Sequence, residues 1–234
     1  MDILSISWYD EAMLGTIGIA VPTILYLALS TIHLFFCRTG NEKHRMRTKP
    51  FLLMLLGISM CFFSKDYPLI PVACFLACIG DIILLFDEKP FLFLLGATFF
   101  ASSHVLNILT QCAILGWELQ AWHYVLLYIA IPIASLLGYF VFEKGKKFSL
   151  FKYAFATLHL ENVIFSLILF FTGTTACGTM IFIGYVCCIA SDIILEKAVV
   201  GKTMEKSDFI IMLLYLVGQL FTYYGLAFGI HHIF

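Results

Sequence analysis

Long apolar runs separated by short polar segments organise this chain from end to end. The runs extend roughly from Ala12 to Cys37, Pro50 to Ser64, Pro68 to Phe86, Pro90 to Gln111, Trp122 to Phe142, Tyr153 to Thr172, Cys177 to Glu196 and Asp208 to Ile230. Most approach the roughly 20 residues that an α-helix needs to cross the hydrocarbon of a bilayer. The pattern predicts an all-α integral membrane protein of eight transmembrane helices, forming a single polytopic membrane domain over residues 1–234. The second run is the shortest, about 15 residues, and would need a snorkelling Lys49 or local thinning of the bilayer.

Composition agrees with that pattern. Of 234 residues, 62% are hydrophobic and only 12% charged, too apolar for a soluble domain. The net charge of -1, with basic residues in short clusters between apolar runs, gives no footprint for nucleic acid. The N-terminus carries Asp2, Asp10 and Glu11 rather than the basic residues that precede a signal-peptide core, so the first run is expected to stay in the protein.

The placement of positive charge orients the spans, because Lys and Arg favour the cytoplasmic side of short loops. The first loop holds Arg38, Lys43, Arg45, Arg47 and Lys49, and the third holds Lys89. The fifth holds Lys144, Lys146, Lys147 and Lys152, and the seventh Lys197, Lys202 and Lys206. Only Lys65 lies in an even loop. Both termini are therefore expected outside and the odd loops in the cytoplasm, with Trp8, Trp117 and Trp122 at the outer interface. The eight cysteines lack zinc-type spacing and read as small polarizable core residues. A bridge between Cys112 and Cys177, both near outer ends of runs, stays open.

A weak repeat joins the third and seventh runs, where Cys78-Ile-Gly-Asp-Ile-Ile-Leu84 echoes Ile189-Ala-Ser-Asp-Ile-Ile-Leu195. Runs four apart point the same way, which suggests two parallel four-helix halves. The repeat carries Asp81 and Asp192, each about 8–9 Å from the cytoplasmic end of its helix at 1.5 Å per residue. An ionisable side chain at such a place costs at least about 2.5 kcal/mol on insertion scales, which makes both functional candidates rather than mere interhelical glue. Glu161 and Asn162 in the sixth run, Tyr215 and Gln219 in the eighth, and Lys49 at the base of the second reach a similar depth. His104 in the fourth lies about 20 Å from that helix's start, deeper than the aspartates. Two close carboxyl groups in a low-dielectric site do not readily ionise together, so one is expected to keep its proton and stand as an acid beside a base. That pairing suits hydrolysis of an acid-labile bond, an aspartyl protease dyad or proton-coupled transport.

The residues resemble the YhhN family of membrane proteins, which includes the lysoplasmalogenases. The resemblance rests on Lys49-Pro50 opening the second helix, Gly80-Asp81 in the third, Gly96-x-x-x-Phe100-x-x-x-His104 in the fourth, Ser191-Asp192 in the seventh and Tyr215-x-x-x-Gln219 in the eighth. It implies an enzyme that hydrolyses the vinyl ether bond of a lysophospholipid, lysoplasmalogen, to a fatty aldehyde and glycerophosphoethanolamine or glycerophosphocholine. It implies no metal and no organic cofactor. Asp81 and Asp192 become the expected catalytic pair, with Lys49, His104, Tyr215 and Gln219 in support and Lys49 expected to hold the lipid phosphate. Asn107 departs from the family, which often has tyrosine three residues after the histidine, and Glu161 has no evident counterpart. An intramembrane aspartyl protease fits poorly, because Cys78-Ile-Gly-Asp81 lacks the first glycine of its motif and no Pro-Ala-Leu follows. A proton-coupled transporter or a non-catalytic lipid-binding protein is the alternative. The expected setting is a bacterial plasma membrane, or the endoplasmic reticulum in a eukaryote, with the site toward the cytoplasm; the sequence sets no oligomeric state.

Overall fold

A computed structural model describes residues 3–86, 90–117, 120, 150–199 and 207–231. Among these, every regular element is a helix: α1 (Ile3–Thr39), α2 (Glu42–Phe63), α3 (Leu69–Ile83) continuing into a 3-10 turn (Leu84–Phe86), α4 (Pro90–Ile114), α5 (Leu150–Phe171), α6 (Thr175–Val199) and α7 (Ser207–His231). Six of these seven are long and apolar enough to cross a membrane, and Phe155–Phe171 of α5 is a shorter apolar stretch. The chain is a helical integral membrane protein. In lipid the backbone must satisfy its own hydrogen bonds, which helices do locally. The expected fifth span, Trp122–Phe142, lies outside the described residues, so α5, α6 and α7 are the expected sixth, seventh and eighth spans. The third, fourth and last three spans end within three residues of where the apolar runs place them.

The second span differs. Rather than opening at Lys49-Pro50, α2 starts at Glu42, two turns earlier, where the Asn41 side chain accepts the His44 backbone N–H. Its first turns carry Glu42, Lys43, Arg45, Arg47 and Lys49. These residues are helical but polar, and hydropathy registers only the part of a helix that lies in hydrocarbon. The whole helix is 22 residues long, and its apolar part runs from Pro50 to Phe63.

Contacts across the bundle fix the directions of its helices. Ser191 Oγ donates to the Ile211 carbonyl at 3.0 Å, and Ile181 packs against Gly225, so α6 and α7 are antiparallel. Tyr215 reaches Asp81 from the first half of α7, so Asp81 and Asp192 sit at the same end of the bundle. His104 packs on His159, and further along Cys112 clusters with Phe165 and Ile168, so α4 and α5 run in the same direction.

Small residues set how closely these helices approach. A Cβ on Gly80 would stand 2.9 Å from the Gly96 carbonyl oxygen, and one on Gly218 would stand 2.5 Å from Cys188 Sγ and 2.8 Å from the Gly184 carbonyl. Close approach through small residues is how helices associate in lipid, where no hydrophobic effect drives them together. The core of Leu52, Leu56, Met60, Ile70, Cys74, Tyr223 and Leu226 joins α2, α3 and α7. Large apolar side chains such as Leu14, Ile24 and Phe35 of α1 face outward. All eight cysteines are free, Cys112 and Cys177 included, and six of them are buried.

Candidate active site

Several helices turn a polar stripe inward, the reverse of a water-soluble bundle. Helical spacing aligns Phe100, Ser103, His104, Asn107 and Gln111 on α4, His159, Asn162 and Ser166 on α5, Tyr185, Cys188 and Asp192 on α6, and Tyr215, Gln219 and Thr222 on α7. Ser103, His104, Asn107, Gln111, His159, Asn162, Ser166, Gln219 and Thr222 are all buried.

Asp81 is 4% exposed and held from two sides. Lys49 Nζ lies 3.0 Å from Oδ1, and the Tyr215 hydroxyl donates to Oδ2 at 2.6 Å. Both oxygens thus face donors, the setting of a charge-assisted, ion-paired carboxylate. Lys49, expected to hold the lipid phosphate, has its ammonium on Asp81 in this structure.

Asp192 is placed differently. Its side chain is 43% exposed, and its Oδ2 lies 3.3 Å from His159 Nε2. The other ring nitrogen of His159, Nδ1, lies 3.2 Å from the Phe155 carbonyl oxygen. A carbonyl only accepts, so Nδ1 carries a hydrogen, and Nε2 of the neutral ring is then an acceptor too. The Asp192 contact is therefore bonded when one of the two partners holds a further proton, either as the carboxylic acid or as the imidazolium.

His104, which depth alone left apart from the aspartates, joins the Asp192 side of the site. Its ring lies 4.2 Å from that of His159, and its Nδ1 is 3.4 Å from the Tyr185 hydroxyl. Asn107 Nδ2 donates to the same hydroxyl at 2.9 Å. Asn162 Nδ2 donates to the His104 carbonyl at 3.3 Å and its Oδ1 accepts from Gln111 Nε2 at 2.9 Å, tying α5 to α4. Gln219 Nε2 donates to Cys188 Sγ at 3.7 Å. Glu161 is not joined to this network. It sits about 100° around α5 from Asn162 and about 200° from His159, and among the described residues nothing bonds to it.

Between α3, α4, α6 and α7 lies a small cavity lined by Ala77, Phe100, Ser103, His104, Asn107, Tyr185, Cys188, Gln219 and Thr222, with room for about one water molecule. Ala77 and Cys188 each precede an aspartate by four residues, one turn on the same helix face. Asp81 and Asp192 therefore flank one end of the cavity without lining it.

The model of the YhhN family matches residues 44–226, a stretch holding both aspartates and every residue of the site. The chain belongs to the YhhN family. No curated protein and no solved structure matches it. The YhhN region starts after α1, so the family's shared part is the bundle that carries the polar stripes. Within it Gly80 and Gly96 have a structural reason, since each occupies the closest approach of α3 to α4 and so sets where Asp81 stands relative to His104. Sequence reasoning passed over His159, Tyr185, Cys188 and Thr222. His159 was detectable as a titratable side chain inside an apolar run, three residues before Asn162. The other three were detectable only as members of stripes at helical spacing.

Proposed function

We propose that this YhhN protein is a lysoplasmalogenase, a hydrolase that opens the vinyl ether bond of a lysophospholipid and releases a fatty aldehyde. The observation that carries this reading is the unlike setting of two aspartates at one end of one polar cavity. Asp81 faces two donors and stands as the anion of an ion pair, while the more exposed Asp192 faces the His159 ring, where in this reading it holds the proton. An acid beside a fixed negative charge is what cleavage through an oxocarbenium ion requires.

In this mechanism Asp192 gives its proton to the vinyl carbon remote from oxygen. The π pair forms the new C–H bond, and the positive charge spreads onto the ether oxygen. The Asp81 carboxylate opposes that charge through space. Water adds to the carbon beside oxygen and yields a proton to the Asp192 carboxylate, restoring the acid. The hemiacetal then breaks its bond to the glycerol oxygen, its hydroxyl proton passes to that oxygen, and aldehyde and glycerophospho-alcohol separate.

The reading includes a single polytopic domain of eight spans with both termini outside, so that the aspartates lie toward the cytoplasmic face of a bacterial plasma membrane or of the endoplasmic reticulum. The one-sided distribution of Lys and Arg supports the orientation. The parallel run of α4 and α5 supports the count, because the end of one and the start of the other lie at opposite ends of the bundle. A depth of about 8–9 Å below the helix ends also suits the substrate, since headgroups occupy roughly the outer 5–7 Å on each side and the ether bond lies just beneath them.

The test is purified protein incubated in parallel with lysoplasmalogen and with an ester-linked lysophospholipid, measuring aldehyde and fatty acid. Aldehyde from the first substrate and no fatty acid from the second is the expected result, with Asp81→Asn and Asp192→Asn folded but inactive. Full activity in either variant would refute the mechanism, and fatty acid alone would replace the reaction.

A further inference from the structure

Two of the side chains that line the cavity keep an oxygen without a partner. Asn107 donates through Nδ2 to the Tyr185 hydroxyl, but among the described residues nothing bonds its Oδ1. Thr222 Oγ1 is unmet in the same sense. The two residues are 2% and 3% exposed and reach the cavity from α4 and α7. A buried polar oxygen left unpaired in an apolar bundle is costly, and two of them on residues that line one space with room for about a single water point to a missing group.

The lining decides the chemistry of that group. Asn107 Oδ1 can only accept, so the group must donate a hydrogen. The volume admits one small group, and no carboxylate lines the cavity to balance an ammonium. An uncharged O–H fits all three conditions. The position is equally specific, because Ala77 and Cys188 on the cavity wall stand one turn from Asp81 and Asp192.

We infer that the cavity is a hydroxyl pocket: it receives one O–H group, from water or from the glycerol hydroxyl that a lysolipid carries beside its ether chain, and holds it one helical turn from the two aspartates. The inference rests on the reading of the protein as a lysoplasmalogenase. A substrate hydroxyl seated here would place the neighbouring ether bond against the aspartates, and a water seated here would be the one that adds to the oxocarbenium carbon.

The experiment compares wild type, Thr222→Val and Thr222→Ser on choline lysoplasmalogen and on its 2-deoxy analogue, which lacks the glycerol hydroxyl. Valine keeps the shape of threonine and removes the hydroxyl; serine restores it. If the substrate supplies the group, wild type loses about five- to tenfold in kcat/KM on the deoxy analogue, and Thr222→Val treats both substrates alike. If water supplies it, Thr222→Val lowers kcat about five- to tenfold on both substrates with KM unchanged. In either case Thr222→Ser recovers. A folded Thr222→Val with wild-type kcat and KM on both substrates overturns the pocket. A wild type that releases no aldehyde defeats the enzymatic reading instead, and the pocket is then judged in a high-resolution experimental structure of the wild type. Density for an oxygen within hydrogen-bonding distance of Asn107 Oδ1 and Thr222 Oγ1 upholds it, and a dry cavity removes it.

Discussion

Lys49→Met tests whether the Asp81 site is held together as the geometry says. The Lys49–Asp81 contact of 3.0 Å joins an aspartate that is 4% exposed to a lysine whose side chain is 21% exposed. Removing one partner of a buried pair costs about 3–5 kcal/mol, because the other charge is left without compensation. Tyr215 still donates to Asp81, which puts Lys49→Met near the lower end, about 3 kcal/mol. Asp81→Asn is expected to cost less, about 1 kcal/mol, because the abandoned ammonium can reach toward the headgroups along its flexible stem. The double variant has no stranded charge, so its cost falls about 2 kcal/mol short of the sum of the two. The assay is reversible unfolding of all four proteins in mixed micelles, read as a double-mutant cycle. Costs that add within about 0.5 kcal/mol, or a Lys49→Met cost below about 1 kcal/mol, would refute the ion pair and with it the fixed negative charge in the mechanism.

Two further outcomes follow from the packing and the charge distribution. Gly218→Ala is expected to destabilise by about 1–3 kcal/mol in thermal unfolding, because the added Cβ meets both Cys188 Sγ and the Gly184 carbonyl and must push α6 from α7; an unchanged melting temperature would contradict that contact. In a Cys61→Ser background, Lys43→Cys is expected to react with a membrane-impermeant maleimide only after cells are opened, and Lys65→Cys in intact cells; the opposite pattern would invert the proposed orientation.

The membrane class and most span ends were legible because hydrocarbon imposes a length and a composition that the chain must obey. The start of α2 was not, because charged residues continue a helix past the hydrocarbon boundary and Pro50 imitates a beginning. Asp81, Asp192, Lys49 and Tyr215 were legible as costly groups at one depth. Their pairing was not, since depth gives no angle around the helix, and it is the angle that brings Lys49 and Tyr215 to Asp81 and leaves Glu161 aside. His104 shows the converse: its depth set it apart, yet packing between α4 and α5 brings it to the neighbour of Asp192.

The spacing around the two Asp-Ile-Ile-Leu segments extends to the partners of the two aspartates, and it suggests how one acid and one fixed charge would arise from similar surroundings. Lys49 precedes Asp81 by 32 positions and His159 precedes Asp192 by 33, each basic residue lying on the helix before its aspartate. His104 follows Asp81 by 23 positions and Tyr215 follows Asp192 by 23, and each crosses over: Tyr215 donates to Asp81, and His104 packs on His159. What differs between the two settings is the base. A lysine makes its aspartate the anion of an ion pair, whereas in the proposed mechanism a histidine whose Nδ1 hydrogen points at the Phe155 carbonyl leaves the remaining proton to the aspartate. His159→Lys would erase that difference. The variant is expected to stay folded, with Asp192 ion-paired as Asp81 is, and to lose aldehyde release by at least about 100-fold, since two anions supply no acid. His159→Gln, which offers Asp192 an amide in place of the ring, is expected to lose less. A His159→Lys protein with wild-type turnover would mean that Asp192 does not deliver the proton, and the acid would have to be sought elsewhere among the polar stripes.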